Sequence, residues 1–516
     1  MNETRAVQLA RAASVVMAAF VVSRILGLAR EMIIGNQFGT SRELDAYLAA
    51  FRVPDLIFQL IAGGALGSAF IPTFTAYLTR GDEREAWRLA SSVLNIVAAV
   101  LTACAVLAAI LAPQLVSHLI VPGFTPGEQA LTVNLMRLML VSSVIFGISG
   151  IVMGILNSFQ HFLLPALAPA IYNLAIIGGA VALAPILGIY GLALGVIIGS
   201  LLHLLIQLPQ LLRKGLAYQP ILDIMHPGVR EVGRLMLPRM LGLATVQINF
   251  VVNTILASGL REGSLAALNY AWMMMLLPQG IFAMSIATAA FPTFSALVAR
   301  EELGELRESV SETLGLIFYL TVPACVALVV LRQPLIELLL QRGRFDPSST
   351  SAVAWALQFY AVGLLGHCAL EIVTRAFYAL HDTRTPVLVG AGAMALNIIL
   401  SLVLVGPLLH GGLALANSIA TIIETVVLML ILRGRLGGLS ESRLLRSLAK
   451  TSLATGIMGV ALHWYSSVSQ GQQILLRGAG ALVLGAALYL VVSLVLRSPE
   501  VTTLVRFLHR RTVNQD

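Results

Sequence analysis

Long, uninterrupted apolar runs decide what this chain can fold into. VLNIVAAVLTACAVLAAILA (residues 93–112) and LVLGAALYLVVSLVL (residues 482–496) carry no charge at all. A helix needs about 20 such residues, at about 1.5 Å each, to cross roughly 30 Å of hydrocarbon. Composition agrees: of 516 residues, 58% are hydrophobic and 11% charged, whereas soluble domains run at about 45–50% and about 25%. The expectation is an all-α polytopic membrane protein with fourteen transmembrane helices and no separate soluble domain. The second and eighth segments, near residues 44–77 and 264–298, are interrupted by Pro and Gly, which predicts bends or breaks. No cleavable signal is expected, because MNETRAVQLARAASVV runs into a long span without a small-residue cleavage site.

The basic residues set the orientation. With the N-terminus inside, the cytoplasmic segments hold 22 of the 33 Lys and Arg, the outer loops hold 6, and five are embedded. That asymmetry places both termini in the cytoplasm. It also assigns the net charge of +8 to inner loops rather than to a nucleic-acid partner. Cys104, Cys325 and Cys368 lie in apolar runs without ligand spacing, so packing is expected of them, and neither a metal nor a cofactor is.

The chain repeats itself. PGFTPGEQ matches GRFDPSST, HFLLPAL matches DTRTPVL and YGLALG matches GGLALA, pairing Phe124 with Phe345, Pro165 with Pro386 and Gly191 with Gly412 at an offset of 221. FIPTF at residues 70–74 recurs as AFPTF at 290–294, offset 220. RILGLAR at 24–30 returns as RMLGLAT at 239–245, so Arg24 matches Arg239 while Arg30 becomes Thr245. Six helices per half keep both halves in the same orientation, which makes a parallel repeat with a central cavity between halves. The expected organisation is an N-terminal lobe over residues 1–215, a C-terminal lobe over 216–435, and an appended pair of helices with a basic tail over 436–516. Two bundles around a cleft suit alternating access.

Arg24, Arg30 and Arg52 fall within the first two spans, where a central charge costs about 2.5–3.5 kcal/mol on insertion scales. Guanidinium groups stay charged and form planar forks for phosphate or carboxylate, and a wet cavity houses them more cheaply than lipid. They therefore read as an anion site weighted to the N-terminal half. The structural alternative pairs them with Glu31, Asp45 or Asp55 to lock the two helices together. Gly27, between Arg24 and Arg30, permits either close packing or a local break, and Pro54 stands between Arg52 and Asp55. In the second half, Glu371 and Arg375 are four apart and predict a helical pair. Glu371 and Glu424 are candidates for ion coupling. His367 reads as a hydrogen-bonded core residue, and WMMMLLP (272–278) as packing. A lipid-processing enzyme would want clustered acids for metal and phosphate, and the chain offers none; nor is there a Walker motif, so gradients or membrane potential must supply energy.

SRILGLARE, LDAYLAAFRVPDL, GSAFIPTF, LPRMLGLATVQINFVVNTILAS, LLQRGRFD and RAFYALHDTRTPV resemble the MurJ/MviN lipid II flippases of the MATE-like exporter superfamily, in order over residues 8–435. The resemblance implies a flippase moving undecaprenyl-pyrophosphate-linked disaccharide-peptide between leaflets of the bacterial cytoplasmic membrane for peptidoglycan assembly. It also implies a cavity lined by arginines of helices 1, 2 and 8, and a groove for the polyprenyl tail at helices 13 and 14. Cycling in that family depends on membrane potential and bound ions. Carried over by position, Arg24, Arg30, Arg52 and Pro54 match the family pattern, as do Glu31 and Asp45; Gly27 and Arg239 complete the supporting set. The chain departs from the pattern at Phe58, Gln59 and Met273, where the family has arginines, and at Gly63, where it has an acid. The partners implied are a lipid-linked oligosaccharide, membrane lipids and cell-wall synthesis enzymes, with the chain acting as a monomer. The competing readings are an exporter of another polyprenyl-linked glycan or amphiphile, and a non-transporting scaffold for wall enzymes.

Overall fold

The computed structural model describes residues 3–61, 64–469 and 473–501, and every regular element among them is helical. Two compact units emerge. One runs to Ala266 and includes Gly343–Phe345; the other holds Ala267–Arg342 and the chain from Asp346 onward. The first unit contains α1 (Glu3–Phe38), α2 (Arg42–Ile61), α3 (Gly64–Thr79), α4 (Glu83–Ile110) and α5 (Pro126–Ser158). It continues through α6 (Leu163–Leu187), α7 (Ile189–Arg213) and α8 (Pro227–Ser258). After α9 (Ser264–Ala299) come α10 (Leu303–Val330), α11 (Arg332–Leu339), α12 (Pro347–Ala379) and α13 (Arg384–Leu408). The second unit closes with α14 (His410–Arg435), α15 (Glu441–Val468) and α16 (Leu476–Val495).

Ten of these helices are long and apolar enough to cross a membrane, and they coincide with ten of the fourteen expected segments. Their outward faces confirm the solvent they are built for. Ile186, Leu388 and Val495 are 72–80% exposed, an arrangement water would penalise and lipid does not. The interior is packed by aromatic and aliphatic groups. Phe70, Phe74, Trp87 and Phe159 interlock in the first unit; Tyr319 and Phe377 are fully buried in the second. The expected interruption of the eighth segment is real. In α9 the helix widens into a π turn at Gln279–Met284 directly after Pro278, whose ring clashes with the preceding turn. The second segment is carried by α2 and α3 on either side of residues 62–63.

The repeat is written into the backbone as well as the side chains. Left-handed residues recur in pairs: Gly81 with Glu301, Gln160 with His381, Gly188 with Leu409, and Gly215 with Gly437. Helix breaks recur too, at Leu111 after α4 and at Leu331 after α10. The Phe124 and Phe345 motifs do the same job in each half. A buried Phe precedes an extended cap residue, Thr125 or Asp346, and a Pro at the first helical position opens a helix of 33 residues. Proline suits that position because its missing N–H would have no partner there.

Candidate functional site

Helix α1 is continuous from Glu3 to Phe38, so the local break contemplated at Gly27 does not occur. Gly27 faces α6, where a Cβ would stand at an ordinary 3.7 Å from Asn173 Nδ2. Asn173 is the keystone of this contact. Its Nδ2 donates to the Ser23 carbonyl at 3.2 Å, and its Oδ1 accepts from Arg30 Nη1 at 3.1 Å. Arg30 also donates from Nε and Nη2 to Glu31 Oε1, at 3.1 and 2.5 Å. Tyr47 of α2 and Tyr172 of α6 are close enough to act electrostatically on Arg30. A guanidinium has five N–H donors; these three contacts leave two of them open. Arg30 is thus both anchored by Glu31, as the structural reading held, and still able to grip an anion.

Arg24 is placed differently. Six residues earlier, roughly 9 Å along the helix, it is exposed and has no hydrogen bond or ion pair among the described residues. Helical geometry puts its direction roughly 120° from that of Arg30, so α1 alone does not bring the two heads together. Arg52 belongs to a third setting: its Nε donates to Thr254 Oγ1 of α8 at 3.2 Å, and its guanidinium lies 5.3 Å from the centre of the Phe250 ring. A cation on an aromatic face is stabilised by the ring quadrupole. Pro54, buried inside α2, removes one helical N–H donor beside Arg52.

Asp45 is committed to a helix end. It is 1% exposed and accepts from the backbone N–H of Gly263 at 2.7 Å and of Ala266 at 2.8 Å. Asp45 caps the first turn of α9. The cause is the orphan donors that every helix N-terminus presents, which attract a carboxylate. Arg42 adds to the same knot, with its Nε 3.0 Å from Glu128 and its ring-facing guanidinium 5.0 Å from Phe124. The side chain of Arg239, and Gly63, lie outside the described residues.

In the second unit Glu371 and Arg375 form the expected i,i+4 pair. His367 Nε2 lies 3.1 Å from Asn417 Oδ1, with the Trp272 ring edge-on to its imidazole. Among the described residues no group of His, Cys, Asp and Glu is arranged to hold a metal. Glu424 makes no ion pair among the described residues and sits against Gly390, where a Cβ would come 3.1 Å from its Oε1. Of the departures, Phe58 packs on Phe146, with ring centres 5.6 Å apart, and Gln59 hydrogen-bonds Asp55. Met273 is half-buried beside the buried Met274 and Met275.

The residues that sequence reasoning missed are Asn173, Tyr172, Tyr47, Thr254 and Phe250. A signal existed for one of them: Asn173 is the single amide in the apolar run PALAPAIYNLAIIGGA, and a polar side chain inside a span calls for a partner. Arg30 and Arg52 are thus held in separate settings, one by a carboxylate and an amide, the other by a hydroxyl and a ring. Guanidinium groups of this kind offer N–H donors to an anion.

Comparison with known proteins places this site in context. The sequence model of the family described as lipid II flippase MurJ matches residues 34–478. A lipid II flippase MurJ from Burkholderia cenocepacia is 30% identical over 452 residues, covering 86% of this chain and 87% of that protein. A probable lipid II flippase MurJ from Vibrio cholerae is 29% identical over 515 residues, covering 95% and 96%. A solved structure of lipid II flippase MurJ in an inward closed conformation superposes with a TM-score of 0.80 at 27% identity, covering 93% of this chain and 98% of its own. An inward-facing MATE family multidrug transporter of the MOP superfamily shares the fold, with a TM-score of 0.67 at 17% identity over 82% of this chain.

Proposed function

The chain belongs to the lipid II flippase MurJ family, and on that premise we propose that it translocates lipid II across the bacterial inner membrane. It is a transporter, not an enzyme. Arg30 carries the reading: anchored by Glu31 and Asn173, it keeps two N–H donors open for an anionic head group. Arg24, unpaired among the described residues, and Arg52, on the Phe250 face, supply further positive charge. A pyrophosphate contacted by such groups gains about 1.5–3 kcal/mol per charge-assisted hydrogen bond. The 221-residue repeat supports two lobes working by alternating access, with α15 and α16 as an addition suited to the lipid tail. The chain acts as a monomer, with cell-wall synthesis enzymes as its partners. The 22-to-6 distribution of basic residues supports cytoplasmic termini; reporters fused after residue 84 and after residue 340 then report opposite sides. Coupling falls to Glu371 or Glu424, of which Glu424 has the weaker claim to a structural role because it has no ion pair among the described residues.

Complementation tests the assignment. A strain depleted of its own lipid II flippase should grow when this chain is supplied, and fail with Arg24→Ala expressed at the same level. A well-expressed wild type that never complements would overturn it. One observation favours a second reading, export of a less anionic polyprenyl-linked glycan or amphiphile. Phe58 spends its ring on Phe146 and Gln59 its amide on Asp55, at positions where the family carries arginines.

A further inference from the structure

In the second unit an aromatic and polar group sits near the middle of a span. Tyr360 and His367 flank the midpoint of the 33-residue α12. Trp272 of α9 meets both rings at steep angles, 68° and 83°, with centres 5.2 and 5.4 Å away. His367 Nε2 faces Asn417 Oδ1 of α14 at 3.1 Å. The two helices come this close because Gly366 carries no side chain: a Cβ there would stand 3.1–3.2 Å from Ile422. One and two turns further along the same face of α12 lie Glu371 and Arg375, paired with each other. Trp272, His367, Asn417, Glu371 and Arg375 are all half-buried, not sealed into the core.

Charged and amide groups at that depth are expensive against lipid, so their exposed parts face a water-filled cavity or a ligand. Their charges cancel. Glu371 and Arg375 neutralise each other, which leaves a polar surface that selects neither an anion nor a cation. Bonding capacity remains: Asn417 Nδ2, Glu371 Oε1 and the Nε and Nη2 of Arg375 have no hydrogen bond among the described residues. A neutral ligand rich in hydroxyls matches that set, because each hydroxyl both donates and accepts. A sugar ring adds an apolar C–H face, which lies well against the electron-rich face of an aromatic ring. Packing against Tyr360 and His367 fixes the Trp272 ring before a ligand arrives, so little ordering cost is left to binding.

We propose that Trp272, Asn417 and the Glu371–Arg375 pair form a sugar-binding surface that holds a glycan ring of the cargo, an inference that rests on the lipid II reading above. The test is native mass spectrometry of the purified full chain with three probes: undecaprenyl pyrophosphate, the same lipid carrying the disaccharide without peptide, and lipid II. Trp272→Ala should weaken binding of both sugar-bearing lipids by about three- to tenfold, the range of one aromatic contact, and leave undecaprenyl pyrophosphate unchanged. Trp272→Phe should keep most of the affinity. Asn417→Ala leaves Trp272 in place and should show the same selectivity, which keeps the test decisive if Trp272→Ala folds poorly. Arg24→Ala should instead weaken all three, because it acts on the pyrophosphate. A well-folded Trp272→Ala that matches wild type on the sugar-bearing lipids, or loses all three probes alike, would overturn the proposal. So would a loss confined to lipid II, which would assign the surface to the peptide. Wild type that binds none of the three would overturn the lipid II reading itself, and this inference with it.

Discussion

Arg24 and Arg30 share a helix and a residue type, yet their surroundings assign them different work. Arg30 neutralises Glu31 and holds Asn173 in a partly buried cluster, 26% and 15% exposed for the two charged side chains. Removing it strands a carboxylate, so Arg30→Ala should cost about 1–3 kcal/mol of stability as well as transport. Arg24 has no partner to strand among the described residues. Its alanine variant should unfold within about 0.5 kcal/mol of wild type, as exposed substitutions do, while complementation fails. Melting curves in detergent beside growth assays separate the two; equal destabilisation by both would return Arg24 to a structural role. This difference was only half legible in the sequence. Embedded arginines and the adjacent Glu31 could be read from residue type and spacing. Asn173 is 143 residues from Arg30, and Asp45 meets the N–H of Gly263 218 residues away, so contacts set by tertiary packing were beyond local pattern.

Helix lengths were the most legible feature, because hydrocarbon thickness dictates them. Local turns were less so, and the repeat shows why. At Gly188 the chain takes φ 58°, ψ −140° before α7, and at the matching position before α14 Leu409 takes φ 53°, ψ −135°. A side chain in that region costs about 1–3 kcal/mol, which nothing in the residue name Leu announces. The geometry is forced by the next turn: a Cβ on Gly412 would fall 2.1 Å from the Leu404 carbonyl oxygen, and one on Gly191 2.4 Å from the Ala184 nitrogen. Leu409 is 38% exposed and gives up little packing. Leu409→Gly should therefore stabilise the protein by about 1 kcal/mol, through relief of that strain, seen as a higher melting temperature. No change would mean the packing of Leu409 offsets its backbone. A second element-level device sits before α13. The Thr385 hydroxyl and N–H bond the Asp382 carboxyl and Arg435 pairs with it, which together pull its pKa down to about 2. A depressed carboxyl adds stability above its unfolded pKa near 4, and that stability is lost as pH falls through 2. Asp382→Asn should flatten this part of the melting-versus-pH curve and leave the curve unchanged in shape above pH 5. An unchanged acid limb would remove Asp382 from the account.

For the whole molecule, the question is how much positive field lipid II requires. The family places arginines where this chain has Phe58, Gln59 and Met273, so the retained Arg24, Arg30 and Arg52 must supply the contacts. Each charge-assisted contact is worth about 1.5–3 kcal/mol, so restoring one should tighten head-group binding by about tenfold or more. Gln59 is the better site to test, because Phe58 is committed to Phe146 and its replacement would disturb that packing. An arginine at 59 would meet Asp55, which Gln59 now bonds one helical turn away. Part of the new charge would be absorbed by that carboxylate, and the gain should be larger when Asp55→Asn accompanies Gln59→Arg. The measurement is lipid II binding to purified protein by native mass spectrometry, with Arg24→Ala as the control. If lipid II is the cargo, wild type binds, Arg24→Ala does not, and Gln59→Arg binds at least as tightly as wild type. Binding that appears only in Gln59→Arg would mean that the lost arginines changed the cargo. A well-folded protein that binds lipid II in neither form would remove the head-group role of Arg24, Arg30 and Arg52 altogether.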